Sequence, residues 1–341
     1  MFLKRRSRSA DVRVLQSFKE PTRQTNPYIT QLRDSLASTP GVTPIPFSWR
    51  AALTGPVDVF HAHWPESLIE RRGPVSTLGR RVLYGLFVLR LRFQGIPVVR
   101  TVHNIELPQG ISRYDRLVLQ ETERLTRMRI ILNEFTPVPE GQDAVLIEHG
   151  DYRDWFAPYD VPAPVGGRVL FFGKIRRYKN VEGLIEAFAA VEGRPDWTLR
   201  VVGSPSSADL AETLESLARP EPRITLAFGF VDDAELAKEA GEASVVVLPY
   251  PEMHNSGSVL AALSFSRPVL VPDNEFNRAL AQEVGPGWVI RYDQDLTAAD
   301  VERAVAASLE VIGEGQPDLT RRAWSEAGSR HLAAYRRALG D

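Results

Sequence analysis

Short apolar runs alternate with helical stretches along nearly the whole chain, and this alternation restricts the fold to parallel βαβ units. Strands are predicted at Val12–Phe18, Val42–Pro46, Val57–His61, Pro97–His103, Arg129–Leu132 and Ala144–Ile147, with helices over Pro27–Ala37, Ser76–Gln94 and Asp115–Arg127. A proline-rich stretch, 151–165, reads as a linker, and the pattern then restarts. The second series has strands at Arg168–Phe172, Thr198–Val202, Ile224–Ala227, Ser244–Leu248 and Pro268–Val271. Its helices are expected at Val181–Val191, Ala208–Leu217, Asp232–Ala240, Ser258–Phe265 and Asn277–Glu283. Amphipathic helix is expected over Ala299–Gly313 and Leu319–Leu339. At about 150 residues per domain, 341 residues make two. The expected class is α/β: two Rossmann-like, doubly wound domains facing a cleft, with C-terminal helices. The domains are 1–150 and 166–318, with residues 319–341 packing back on the first.

Motif chemistry removes several functions that such an architecture could carry. No G-x-G-x-x-G follows the first strand and no G-x-x-x-x-G-K-[ST] occurs, so dinucleotide and P-loop sites are not expected. The chain has no cysteine, which excludes thiol nucleophiles and Cys-ligated metals. Met1–Ala10 is basic, but no apolar run follows it, so export is not expected and the reading is cytoplasmic. The net charge of −2 conceals an asymmetry: residues 1–100 hold 16 Lys and Arg against 6 Asp and Glu. That imbalance points to a polyanionic surface.

Two segments of the second half carry anion-binding chemistry. After the apolar run that ends at Gly173 come Lys174, Arg176, Arg177 and Lys179, four cations within six residues before a helix. A glycine admits a ligand close to backbone, and cations at a strand's carboxyl end neutralise a diphosphate. Another apolar strand runs into Pro249-Tyr250-Pro251-Glu252, and then Asn255-Ser256-Gly257-Ser258 opens an apolar helix whose free N–H groups favour an anion. In the first half, strands end in His61-Ala62-His63 and in His103-Asn104, with His61 and His63 on one face.

These motifs together resemble the GT-B glycosyltransferases, in particular the family 4 retaining enzymes and their bacterial polysaccharide branch. Gly173 and Lys179 match the family's strand-Gly-Arg, four-residue, Lys-Gly signature, with Lys174 at the Arg position and Asn180 at the final Gly. The resemblance implies that Lys174 and Lys179 hold the donor diphosphate with help from Arg176 or Arg177. It further implies that Asn255–Ser258 form the diphosphate loop and that Phe230 and Val231 meet the donor base, with Tyr250 and Glu252 in the donor loop. The family's second glutamate falls on Ala261 here, and Glu252 stands one residue from the usual place of the first. Asp58-Val-Phe-His61-Ala-His63-Trp64-Pro65 and Thr25-Asn26-Pro27-Tyr28 resemble motifs of the same branch. Asn26, His61, His63 and Asn104 are assigned to the acceptor, and His103 to the transferred sugar or the acceptor, as a catalytic residue with Lys174 and Lys179.

The implied function is retaining transfer of a hexose from a UDP- or GDP-linked sugar to a lipid-linked or polysaccharide-precursor acceptor. No metal or other cofactor and no nucleic-acid partner is expected. A non-catalytic GT-B scaffold that binds nucleotide or glycan, and a sugar-nucleotide epimerase, are the alternatives. Within Arg71–Gln94 the arginines 80, 81, 90 and 92 surround an apolar core, which suits either a buried helix or one lying on an anionic inner leaflet.

Overall fold

The computed structural model describes residues 11–69, 74–104 and 111–340. The basic segment 1–10 and Arg71, at the head of the arginine-flanked stretch, lie outside the described residues. Two compact units divide the chain: 1–150 with 323–341, and 151–322.

The first unit runs β1 (Val12–Gln16), α1 (Pro27–Ala37), β2 (Val42–Ile45), α2 (Trp49–Thr54), β3 (Val59–Ala62), α3 (Pro74–Gln94), β4 (Val98–Val102), α4 (Arg113–Arg124), β5 (Thr126–Ile131) and β6 (Ala144–Leu146). Its six strands form one all-parallel sheet in the order β2-β1-β3-β4-β5-β6. Strands covered on both faces read as continuous apolar runs, and β3 is buried throughout. The order reverses between β1 and β3, which makes the carboxyl ends of these strands the switch point where open parallel sheets receive ligands.

The second unit opens on α5 (Arg153–Phe156), inside the stretch that reads as a linker; Phe156 is buried, with its ring 4.2 Å from that of Phe265. It continues with β7 (Arg168–Phe172), α6 (Val181–Ala189), β8 (Thr198–Gly203), α7 (Ala208–Ala218), β9 (Ile224–Phe228), α8 (Asp233–Glu242), β10 (Val245–Val247), α9 (Gly257–Ser264), β11 (Val269–Pro272), α10 (Glu275–Val284), β12 (Val289–Tyr292) and α11 (Ala298–Val311). The sheet is again all parallel, ordered β12-β11-β10-β7-β8-β9, with its reversal between β7 and β10.

The last helix, α12 (Ala327–Leu339), packs on α1, β4 and β5 of the first unit. Trp324, just before it, fills the space beside Gly150, where an added Cβ would lie 2.2 Å from the indole. Helix α3 is amphipathic: Tyr84, Phe87, Val88 and Leu91 are buried, while Leu78, Val82, Leu86, Leu89 and Phe93 are exposed on the other side. Two of its arginines turn inward to polar partners. Arg81 forms a two-pronged pair with Asp115 at 2.8 and 2.6 Å, and Arg90 donates to the carbonyls of Ala51, Ala52 and Gly55.

Candidate active site

At the carboxyl ends of β7 and β10 the second unit gathers most of its predicted donor residues. Gly173 has φ +110°, and a Cβ there would lie 3.7 Å from Ser258 Oγ and 3.9 Å from Lys179 Nζ, so strand end, helix start and ammonium group surround one space. Gly203, ending the neighbouring strand β8, sits so close that a Cβ would come within 1.9 Å of the Gly173 carbonyl. Both positions therefore require glycine.

Lys179 is only 8% exposed. Its Nζ donates to Tyr250 Oη at 3.1 Å and lies 4.5 Å from that ring's centre and 5.9 Å from that of Phe171. Among the described residues it forms no ion pair. Burial, together with the repulsion of Arg176 and Lys174, lowers its pKa to about 8. Asn180 takes the left-handed conformation, φ 52°, as N-cap of α6, which explains how asparagine stands where the family signature has glycine.

The other cations are disposed differently. Lys174 and Arg176 are exposed, and Arg177 pairs with Asp209 and, at 3.6 Å, with Glu182. Ser256 caps α9, its Oγ accepting from Val259 N at 3.4 Å, so the N–H groups of Gly257 and Ser258 begin the helix without i−4 partners. Glu252 and Phe230 are exposed, Val231 and Asn255 half-buried. The Pro251–Ser256 loop is tied down by two residues that sequence reasoning missed. Asn274 donates to the Met253 carbonyl at 2.9 Å, and Asn277 donates to the Pro272 carbonyl at 2.8 Å and meets Met253 Sδ.

In the first unit the predicted histidines meet in one network, His61 and His63 buried and His103 half-buried. His61 has Tyr335 Oη 2.8 Å from Nδ1 and Thr101 Oγ1 2.8 Å from Nε2. His63 lies 3.2 Å from His103 through Nδ1 and 3.4 Å from Gln16 Oε1 through Nε2. His103 stacks on Trp64, ring centres 3.9 Å apart at 17°. Tyr28 presents its edge to His103 and lies 4.5 Å from the ring of His149, while His331 sits 5.7 Å from His61. Five of the chain's six histidines thus share one cluster. The contributions of His149, His331 and Tyr335 were not read from sequence; the i, i+4 spacing of His331 and Tyr335 on an amphipathic helix was the available signal. Asn26 is exposed, its side chain accepting from Tyr28 N at 3.0 Å as the cap of α1, and Asn104 is exposed beside His103.

Each sheet thus ends in a polar cluster at its carboxyl edge, one cationic and one imidazole-rich, on a tandem of Rossmann-like units. That is the architecture of the GT-B glycosyltransferases. Solved structures with the same fold include sucrose-phosphate synthase from Thermosynechococcus elongatus, with TM-score 0.59, 16% identity and 96% of each chain covered. Anabaena HepE in complex with UDP matches with TM-score 0.58 and 13% identity over 95% of each chain. The family model of glycosyl transferases group 1 matches residues 166–310. The GDP-mannose:glycolipid 4-beta-D-mannosyltransferase of Xanthomonas campestris pv. campestris is 40% identical over 330 residues, 96% of this chain and 93% of that one. The chain belongs to the group 1 glycosyl transferases and is a hexosyltransferase.

Burial holds the histidines neutral: the pKa of His63 falls to about 3 and that of His331 to about 4, and those of His61 and His103 fall well below the ordinary value. The unfolded chain consequently binds more protons than the folded one below pH ~6.5, and stability falls with pH by about 1.4 kcal/mol per pH unit for each such group. The urea midpoint should therefore drop steeply between pH 7 and pH 5, and less steeply in His63→Gln. A flat midpoint over that range would show that the cluster takes up no protons on unfolding.

Proposed function

We propose that this chain transfers mannose from GDP-mannose to the 4-hydroxyl of a sugar on a glycolipid acceptor, forming a β linkage. The observation that carries this reading is the 40% identity to the mannosyltransferase, extending over nearly the full length of both chains. Mannose is α-linked in GDP-mannose, so a β product requires inversion at C1. The acceptor oxygen attacks C1, the bond from C1 to the diphosphate oxygen breaks, the hydroxyl proton passes to water and GDP departs with the bonding electron pair. Family resemblance alone implies retention; the β linkage in the relative's name, and Ala261 at the family's second glutamate position, favour inversion.

The residues of this chain serve such a displacement as follows. Lys179, with Lys174 and Arg176 nearby and the first N–H groups of α9, stabilises the charge that develops on the leaving diphosphate. That cationic set supplies the role a divalent metal plays elsewhere, so turnover is expected to survive EDTA. His103, neutral at physiological pH and stacked on Trp64, orients the acceptor or the transferred sugar by hydrogen bonding. Transfer from radiolabelled GDP-mannose to extracted glycolipid, with NMR assignment of the new anomeric centre, tests the reading. A β-mannoside formed in EDTA is expected; preference for a UDP-sugar, an α product or a metal requirement would contradict it.

The same reading places the enzyme peripherally on the inner leaflet, in the synthesis of an exopolysaccharide or glycolipid. No helix among the described residues is long and apolar enough to cross a membrane. The exposed face of α3 supports surface docking instead, with Leu78, Val82, Leu86, Leu89 and Phe93 in one stripe beside exposed Tyr114 and Leu117 of α4. Because Arg81 and Arg90 are engaged in internal bonds, insertion of this apolar face rather than arginine contact dominates the attraction. Leu86→Asp with Phe93→Asp should abolish co-sedimentation with anionic vesicles. Unchanged pelleting of the double variant would place the docking surface elsewhere.

A further inference from the structure

The otherwise apolar strand β1 ends in Gln16, an amide with no solvent exposure. A buried amide has both a donor and an acceptor to place. Its Oε1 lies 3.4 Å from His63 Nε2, while its Nε2 makes no hydrogen bond of ordinary geometry among the described residues. That nitrogen still acts on the Tyr335 hydroxyl: burial raises the pKa of the phenol, and Gln16, as a donor, opposes the rise. One end of the amide therefore serves His63 and the other serves α12. Ser17, the next residue, is buried too, and its Oγ accepts from His63 N at 2.8 Å, so the end of β1 holds His63 by both backbone and ring.

A neutral imidazole has one N–H and one lone pair, and the bond made by one nitrogen settles the state of the other. Since a carbonyl oxygen can only accept, His63 carries its proton on Nε2, and its Nδ1 accepts from His103 Nε2 at 3.2 Å. His103 is then also the Nε2–H tautomer, with its lone pair on Nδ1. On the other side the amide donates toward Tyr335, whose own proton goes to His61 Nδ1 at 2.8 Å, and His61 Nε2 donates to Thr101 Oγ1 at 2.8 Å. Turned end for end, the amide would reverse every bond of this chain. The imidazoles and hydroxyls could run in either direction; the amide, which neither titrates nor changes tautomer, decides between them.

We propose that Gln16 is a positioning residue for the transfer, fixing His103 as the Nε2–H tautomer so that its Nδ1 accepts a hydrogen bond rather than donating one. This inference rests on the proposed part of His103 in transfer, but the tautomer is measurable without turnover.

NMR of the full-length protein with isotopically labelled histidine, assigned through His61→Gln, His63→Gln and His103→Gln, reads the tautomers directly at neutral pH. The unaltered protein should carry the proton on Nε2 in all three rings. In Gln16→Leu the carbonyl is gone, and His63 and His103 should shift together toward the Nδ1–H form while His61 stays. Tyr335→Phe should release His61 alone, which separates the loss of one bond from a general loosening of the core. The kcat of Gln16→Leu should fall in proportion to the Nε2–H fraction that His103 loses, with GDP affinity unchanged. A proton on Nδ1 of His63 or His103 in the unaltered protein would overturn the proposal, and that result requires no variant to fold. Unmoved His63 and His103 tautomers in Gln16→Leu, equal shifts in Tyr335→Phe, or a shifted tautomer with undiminished kcat would also overturn it. The expected tautomers in a protein that transfers no mannose would instead retain the link from Gln16 to His103 and reject the proposed donor and reaction.

Discussion

On the proposed reading, one ammonium group, buried after β7 with no carboxylate partner among the described residues, sets the chemistry of the second unit. Among the described residues Lys179 meets the Tyr250 hydroxyl and the faces of Tyr250 and Phe171, and its lowered pKa reflects the cost of burial and the repulsion of Arg176 and Lys174. An anion placed beside it would offset part of that cost. The surrounding backbone preserves the room such an anion needs: Gly203 lets β8 press against the Gly173 carbonyl, and Gly173 leaves open the space between Ser258 and the ammonium group. On the proposed reading, the strained, charged and glycine-dependent features of this unit all serve one leaving group.

The first unit solves a different problem with neutral groups. Its histidines are packed against one another and against Tyr28, Tyr335 and Trp64, so burial withholds their protons and makes them hydrogen-bonding surfaces rather than charges.

Much of this was legible from residue order alone because parallel strands buried on both faces announce themselves as apolar runs. Helix Pro27–Ala37 and strand Arg168–Phe172 match in both bounds. The short strand Val289–Tyr292 and the helix Trp49–Thr54 were missed, since four- and six-residue elements flanked by turn residues carry too little periodicity. Gly173, Lys179 and Ser258 could be grouped from motif resemblance, but which of four neighbouring cations is buried depends on packing; only the fold separates Lys179 from Arg177, which turns away to Asp209. His331 and Tyr335 join His61 across 270 and 274 residues of sequence, a distance no local pattern spans. For α3 the residue order allows a buried helix and one lying on an anionic surface alike, and only the fold shows that Asp115 and the carbonyls of Ala51, Ala52 and Gly55 engage Arg81 and Arg90.

On the proposed reading Lys179 meets the donor diphosphate, and its charge is restored by doing so. Calorimetry of GDP binding at pH 8 in buffers of different ionisation enthalpy measures the protons taken up on binding. With a free pKa of about 8, the wild-type protein is expected to take up close to half a proton, while Lys179→Arg, whose guanidinium is already charged, takes up none. Equal proton uptake by the two proteins, or none by either, would contradict the claim.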